Sequence, residues 1–273
     1  MRKILKCYTL FLLVISLFFC SAQLYLTYKS NLILSKLKSE KVPLTLRQLA
    51  EFQNLPPNTK NAADIYQKTF LAYKESPNNV GSEITGFISG IPSYKTPTKK
   101  TISLAESWLV SNSECLRYCE EAATLKSCRY EIDFSRGSFS LELKHLWQLQ
   151  KIVELIRLKI FMELQDKDIE GAIHWLKVGI KAARSLESEP LLISALVANS
   201  MYNNLIDTTN FLLHEKSLNA DQLKTLQDAL SKIKPEKQMM VMLKGETALG
   251  VNCIRDGKPL SEIIERFKRF LPA

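Results

Sequence analysis

The chain is poor in glycine, proline and histidine, with 9, 10 and 3 of them among its 273 residues. So few glycines and prolines, together with 46% hydrophobic residues, exclude collagen-like and disordered proteins and indicate an ordered globular one. Glycine-based motifs are also missing, since there is no Walker loop, dinucleotide-binding fingerprint or Gly-x-Ser-x-Gly nucleophile elbow. The zinc-protease motif His-Glu-x-x-His is absent as well. The sequence therefore identifies no catalytic residue and no cofactor.

The formal net charge of +9 comes from the two ends of the chain. Residues 1–50 hold eight basic residues against Glu40, and residues 255–269 hold five basic residues against three acidic ones. Residues 51–254 consequently balance to zero. Because a nucleic-acid-binding body carries an excess of basic residues, we do not expect a nucleic-acid partner.

A run of 22 uncharged residues, Cys7 to Tyr28, lies close to the start of the chain. As a helix it would be about 33 Å long, enough to cross the roughly 30 Å hydrocarbon core of a bilayer. We therefore predict a signal-anchor or transmembrane helix in residues 1–28, with the N-terminus cytoplasmic and the body exported. Basic residues flank the run on both sides, so this orientation rests on its N-terminal placement. Two other interpretations stay open: a signal peptide cleaved near Cys20 to Ala22, and a buried core helix.

The segment that follows, residues 29–44, is basic and contains four of the lysines, Lys29, Lys36, Lys38 and Lys41. We predict that it is a juxtamembrane helical extension in water, in preference to a site that recognises specific lipids. The remainder of the chain, residues 45–273, is predicted to form one helical domain.

Apolar residues after residue 44 recur mostly at three- and four-residue spacing, which predicts an all-α fold. Six glycines and prolines between Ser76 and Lys100 predict a long surface loop. The alternation of apolar and charged residues from Cys128 to Phe134 predicts an extended connector. Helix starts are indicated by Thr45, Asn61, Asp168 and the pair Asn219 and Gln222. Helices are predicted at about residues 45–52, 61–75, 102–110, 113–126, 141–164, 168–186, 191–214, 219–233, 235–255 and 261–271.

The strongest helical pattern covers residues 141–188, where two segments separated by a short break predict an antiparallel hairpin. The stretch Lys167 to Ile173, at the turn of this hairpin, resembles the middle of a tetratricopeptide repeat. More broadly, the anchor, the hairpin and the segments 61–66, 128–130 and 189–193 resemble a group of uncharacterised, membrane-anchored bacterial helical proteins. This resemblance implies an irregular, tetratricopeptide-like stack of helical hairpins attached to a membrane, and it implies no activity.

Four cysteines lie in the body, and their spacing matches no common zinc site. They are Cys115, Cys119, Cys128 and Cys253. Two interpretations stay open for them: buried free thiols, or, in an exported domain, at least one disulfide whose pairing the sequence does not give. A bond between Cys115 and Cys119 would be strained, because residues one helical turn apart have nearly parallel Cβ directions.

Histidine and tryptophan side chains are predicted to have structural roles. Glu142 with His145, and Glu170 with His174, have spacings found in metal-binding helices, but the hairpin separates the two histidines by roughly 20 Å. We therefore expect structural or solvated histidines and no metal. The tryptophans are expected in the core or at helix interfaces: Trp108, Trp147 and Trp175.

These observations favour a membrane-anchored helical scaffold of the bacterial envelope that acts by binding a protein partner. The alternative is an envelope enzyme with an unrecognised site near loop 76–100 and connector 128–137.

Overall fold

The computed structural model of the protein describes residues 2–52, 55–136, 140–215 and 218–255, with side chains from residue 13 onward except that of Asn78. In these residues the regular elements are helices and no strand forms, so the predicted all-α class is confirmed. Single 3₁₀ turns occur at Pro77–Asn79 and Phe134–Arg136. The α-helices are α1 Arg2–Ser39, α2 Leu46–Phe52, α3 Ala62–Ala72, α4 Val80–Ile88, α5 Lys99–Ser111, α6 Ser113–Thr124, α7 Lys144–Gln165, α8 Ile169–Arg184, α9 Leu192–Glu215, α10 Ala220–Leu230 and α11 Pro235–Arg255.

Side-chain caps begin several helices where the sequence predicted them. The Asn61 side chain accepts a hydrogen bond from Ala63 N at 3.2 Å, and Asp168 accepts one from Gly171 N at 2.8 Å. Asn219 and Gln222 form the predicted capping box at the start of α10. The helix predicted at 261–271 lies outside the described residues.

Helices α7 and α8 form the predicted hairpin, and this hairpin lies at the centre of the body. The two helices share the most extensive helix contact, and a three-residue connection reverses the chain between them. Helices α4, α5 and α9 pack on α7, while α6, α9 and α10 pack on α8, and α3 packs on α6. Residues such as Leu149, Ile156 and Leu176 have no exposed surface. Burial of apolar surface along this hairpin is therefore the main source of stability of the body.

The prediction of a long surface loop at 76–100 is wrong for residues 77–88, which form a 3₁₀ turn and helix α4. Val80 and Ile84 of α4 are buried at 1% and 0% exposure. The glycines act here by allowing close packing. A Cβ on Gly81 would lie 2.7 Å from Glu154 Oε1 and one on Gly86 2.4 Å from the Tyr94 ring. The loop is confined to the residues between α4 and α5.

Helix α1 is continuous through the predicted anchor and the predicted extension. Its end is defined by Lys41, which has a φ of 54°, and by a hydrogen bond from Val42 N to Leu37 O of 3.0 Å. Among the described side chains, no helix is both long enough and apolar enough to span a membrane. Residues 1–12 of the predicted anchor lie outside those side chains.

A small second cluster of apolar residues packs α2, which follows α1 in the chain, against the body. Leu49 of α2, Phe134 of the connector and Leu249 of α11 are buried together. Beside this cluster the Leu44 carbonyl accepts hydrogen bonds from Asn252 Nδ2 at 3.5 Å and from Arg255 Nη1 at 3.3 Å. The segment between α1 and α2 is therefore held by α11.

Candidate functional site

A cleft of about 430 Å³ opens beside the C-terminal end of α8. Its walls come from α2, α3, α6, α8 and α11, and the extended segment at Ser127 and Cys128 runs along it. Asn61 fixes that segment, because its side chain accepts from Arg129 N at 2.8 Å and donates to Arg129 O at 2.9 Å. The cap of α3 thus also positions one wall of the cleft.

The inner end of the cleft is a small polar cluster. The Ser185 hydroxyl donates to Ala182 O at 2.6 Å, so the Tyr130 hydroxyl, 3.1 Å from Ser185 Oγ, donates to that oxygen. The Cys128 thiol lies beside both side chains, and burial raises the pKa of this thiol to about 12. Cys128 is therefore protonated at neutral pH and is a weak nucleophile.

Basic side chains surround the mouth of this cleft. Lys126, Lys181, Arg184 and Lys237 line it together with a single carboxylate, Glu187. Arg184 Nε donates to Glu187 Oε1 at 2.8 Å. Burial and the nearby charges of Arg184 and Lys232 lower the pKa of half-buried Lys181. The cleft thus concentrates positive charge that its own carboxylate does not balance.

A second cleft, of about 240 Å³, adjoins the first and shares Lys181 and Arg184 with it. Apolar residues such as Ile180 and Ala229 form its floor, and Lys177 and Lys232 stand at its edge. Its one lining carboxylate, Glu120, lies 2.6 Å from His174 Nε2. We call the two clefts together the α8 groove.

The sequence contains a local signal for this groove, and the sequence-based prediction missed it. Lys177, Lys181 and Arg184 are spaced by four and three residues, which places them on one face of α8. The charge summed over residues 51–254 is zero, and this balance hides the local concentration. The distant partners Lys126, Lys232 and Lys237 join the face only through the packing of the fold.

Neither of the two carboxylate–histidine pairs noted in the sequence brings its carboxylate and its histidine together in one site. His145 is buried and stacks on the Tyr130 ring at 4.4 Å, and its Nε2 lies 2.8 Å from Oε1 of the fully buried Glu189. Neither atom has a partner in good hydrogen-bond geometry, so the two side chains are in close polar contact without a good hydrogen bond. Ser194 Oγ donates to the other Glu189 oxygen at 2.5 Å. The structural role expected for His145 is therefore observed, with Glu189 as an unforeseen partner.

The described cysteines are free thiols. Cys115 and Cys119 are fully buried one turn apart on α6, where Cys119 forms a hydrogen bond with Cys115. Cys128 lies at the groove, and Cys253 is buried on α11. Cys128 packs against the core cluster that contains Cys115 and Cys119, whereas Cys253 lies on α11.

The tryptophan prediction holds for two side chains and is wrong for the third. Trp108 and Trp175 are buried, and Trp108 Nε1 donates to Lys74 O at 2.8 Å. Trp147 is 62% exposed on α7, where Lys151 Nζ lies 5.0 Å from its ring. A lysine side chain, and not another helix, covers the face of the Trp147 ring. Helical periodicity alone did not reveal this exposed position.

No cluster of three or more His, Cys, Asp or Glu side chains with the geometry of a metal site occurs in the described part of the chain. Comparison with protein-family models, with curated proteins and with solved structures found no match. In the segment 76–100, where the enzymatic alternative places part of a site, residues Val80–Ile88 form helix α4.

Proposed function

We propose that the protein is a membrane-anchored helical scaffold of the bacterial envelope that binds a protein partner through the α8 groove. The observation that carries this proposal is the exposure of apolar side chains on α1. Phe18 and Leu24 are 69% and 72% exposed, and the other large apolar residues of α1 from Leu13 to Ile33 are each more than half exposed except Ile15, which is partly buried. An apolar surface of this length needs lipid or protein around it.

Lipid is the better partner for α1 because of its length and its flanks. The uncharged run of 22 residues corresponds to about 33 Å of helix, close to the thickness of the hydrocarbon core. Tyr25 and Tyr28 stand near its end, where interfacial aromatic residues are common, and Lys29 follows directly. The eleven residues of α1 from Lys29 to Ser39 then form a helical stem of about 16 Å that separates the body from the lipid.

The scaffold part of the proposal rests on the chemistry of the body. The groove has an apolar floor, charged edges and an open side, which are features of a surface that binds another chain. The reactive residue type at the groove, Cys128, has a protonated thiol. Binding therefore accounts for the groove better than covalent catalysis does.

Membrane attachment is tested by fractionating cells that express the full chain. We expect the protein in the membrane pellet after an alkaline carbonate wash, with the mass of the uncleaved chain, and in solution after extraction with nonionic detergent. Protease added to intact spheroplasts should digest the body. Recovery in the soluble fraction would overturn the anchor, a mass shortened near Cys20 would show a cleaved signal peptide, and protection from protease would reverse the orientation.

A further inference from the structure

We propose that the α8 groove binds an extended acidic peptide segment in which acidic and apolar side chains alternate. This inference rests on the proposed scaffold function and specifies the chemistry of its partner. The two adjoining clefts supply the positive charge, the apolar floor and the length that such a segment requires.

Charge points to an acidic partner. Six cations line the groove, Lys126, Lys177, Lys181, Arg184, Lys232 and Lys237, against the two carboxylates Glu120 and Glu187. Both carboxylates already have partners within the fold, His174 and Arg184 respectively. Among the described residues, no carboxylate forms an ion pair with any of the five lysines. Carboxylates of a bound segment would supply the missing counter-charges.

Length points to a peptide in preference to a small anion. Helix α8 contributes lining residues from His174 to Arg184, a distance of about 15 Å along the helix, and the first cleft continues to Ser188. An extended chain advances about 3.3 Å per residue, so about five residues fit along α8. A single small anion would contact one end of this row and leave the other lysines without counter-charge.

Shape distinguishes a peptide from a flat lipid surface. Lys181 is half-buried between the two clefts, and its Nζ is directed to Leu125 O at 3.5 Å. A planar layer of headgroups contacts protruding side chains and cannot enter a concave groove. An extended strand presents successive side chains on opposite sides, so one set reaches the floor at Ile180 and Ala229 while the other meets the lysines.

The test measures peptide binding to the full chain in phosphatidylcholine nanodiscs. The probe is a fluorescein-labelled peptide of alternating glutamate and leucine, about eight residues long, followed by fluorescence anisotropy. Lys181→Gln with Lys232→Gln should weaken binding by about ten-fold, the loss of two close charge contacts. The matched control, Lys99→Gln with Lys100→Gln, removes the same charge from exposed positions on α5 and should leave the affinity unchanged.

Three results would overturn the proposal. Equal losses of peptide affinity in the groove variant and in the control variant would mean that binding depends only on the net charge of the protein. Equal affinity for a peptide of alternating glutamate and serine would mean that the apolar floor is not used. Flotation with phosphatidylglycerol vesicles that depends on Lys181 and Lys232, without peptide binding, would assign the groove to lipid. None of these three results bears on the membrane anchor. Conversely, a soluble protein that still binds the peptide would overturn the anchor and leave the proposal for the groove standing.

Discussion

Arg157 on α7 is a charged side chain in the middle of the body, with only 4% of its surface exposed. Its guanidinium donates to Thr208 Oγ1 at 2.9 Å, Ser89 Oγ at 2.7 Å and Thr85 O at 3.2 Å. Burial lowers its pKa to about 10, so it stays charged at neutral pH. One side chain thereby links the end of α4 to α7 and α9.

We predict that Arg157→Ala lowers the free energy of unfolding by about 3 kcal/mol. The change leaves buried acceptors without donors and opens a cavity between three helices. Arg117→Ala is the control, because Arg117 is 59% exposed on α6 and pairs only with neighbours on its own helix. That variant should stay within about 0.5 kcal/mol of the unchanged protein. Urea denaturation measures both, and similar values for the two would contradict the linking role of Arg157.

We predict that Cys128 in the folded protein reacts very slowly with iodoacetamide at pH 8 and that its rate rises until about pH 12. The reactive species is the thiolate, and burial raises the pKa of the thiol to about 12. Because the unfolded thiol ionises near its ordinary value of about 8.5, this group also makes folding less favourable as pH rises from about 9 to 12.

The measurement is mass spectrometry of the alkylated Cys128 peptide at a series of pH values. Protein unfolded in urea provides the control, since its thiol should react readily at pH 8. A folded-state rate that already levels off below pH 10 would show that the thiol is not held in the protonated form by burial.

At the level of single residues, the sequence revealed local roles and missed distant partners. The structural role of His145 followed from the hairpin geometry, but its contact with Glu189 depends on how the connection after α8 folds back. In the same way, the Asn61 cap was visible from the sequence, whereas its two hydrogen bonds to Arg129 were not. Partners far apart in the chain are set by tertiary packing, which leaves no periodic pattern.

Helix α11 contains two glycines whose surroundings differ sharply. A Cβ on Gly245 would lie 1.8 Å from the Pro190 carbonyl oxygen, so the helix backbone directly contacts the chain that enters α9. A Cβ on Gly250 would meet nothing within 4 Å. The first glycine permits a close approach between two elements, and the second only weakens the helix.

We predict opposite effects of alanine at these two positions. Gly245→Ala should destabilise the protein by about 3 kcal/mol, because backbone atoms have to separate. Gly250→Ala should stabilise it by about 0.5 to 1 kcal/mol through higher helix propensity. Thermal unfolding of both variants in the same detergent measures the difference. Two changes of the same sign would contradict the close packing of α11 against Pro190.

Element boundaries were predicted best where a side chain defines them locally. The capping box at Asn219 and the start of α11 at Pro235 are where the sequence indicates them. Helix α4 was missed, because Gly81 and Gly86 were interpreted as loop residues when they serve close packing. Local rules describe what a glycine allows, and only the neighbouring elements decide how it is used.

The molecule as a whole divides into an exposed apolar helix and a charge-balanced body with a local basic groove. The sequence predicted this division, since uncharged residues and helical periodicity are both visible along the chain. It could not predict which helices pack together, such as α3 on α6 or α2 on α11. The groove depends on those pairings, so its position could not be predicted either.

We predict that Leu17→Lys with Phe18→Lys releases the protein from the membrane without unfolding the body. Both side chains are exposed near the middle of the uncharged run. A lysine at the centre of a membrane helix costs about 2.5 to 3.5 kcal/mol. The control Leu32→Lys lies on the stem and should remain in the pellet. Carbonate fractionation measures release from the membrane. The melting temperature of the body, which should not change, shows that the body stays folded. A double variant that stays in the pellet would contradict a lipid-embedded α1.

The hydrogen bonds that the Leu44 carbonyl accepts from Asn252 and Arg255 join residues 208 and 211 positions apart. During synthesis on the ribosome, the start of the body is therefore made long before the groups that hold it. The contacts between α2 and α11, and the two hydrogen bonds to the Leu44 carbonyl, can form only after α11 has been made. Truncation before α11 would therefore leave the first residues of the body without the groups that hold them in the complete fold.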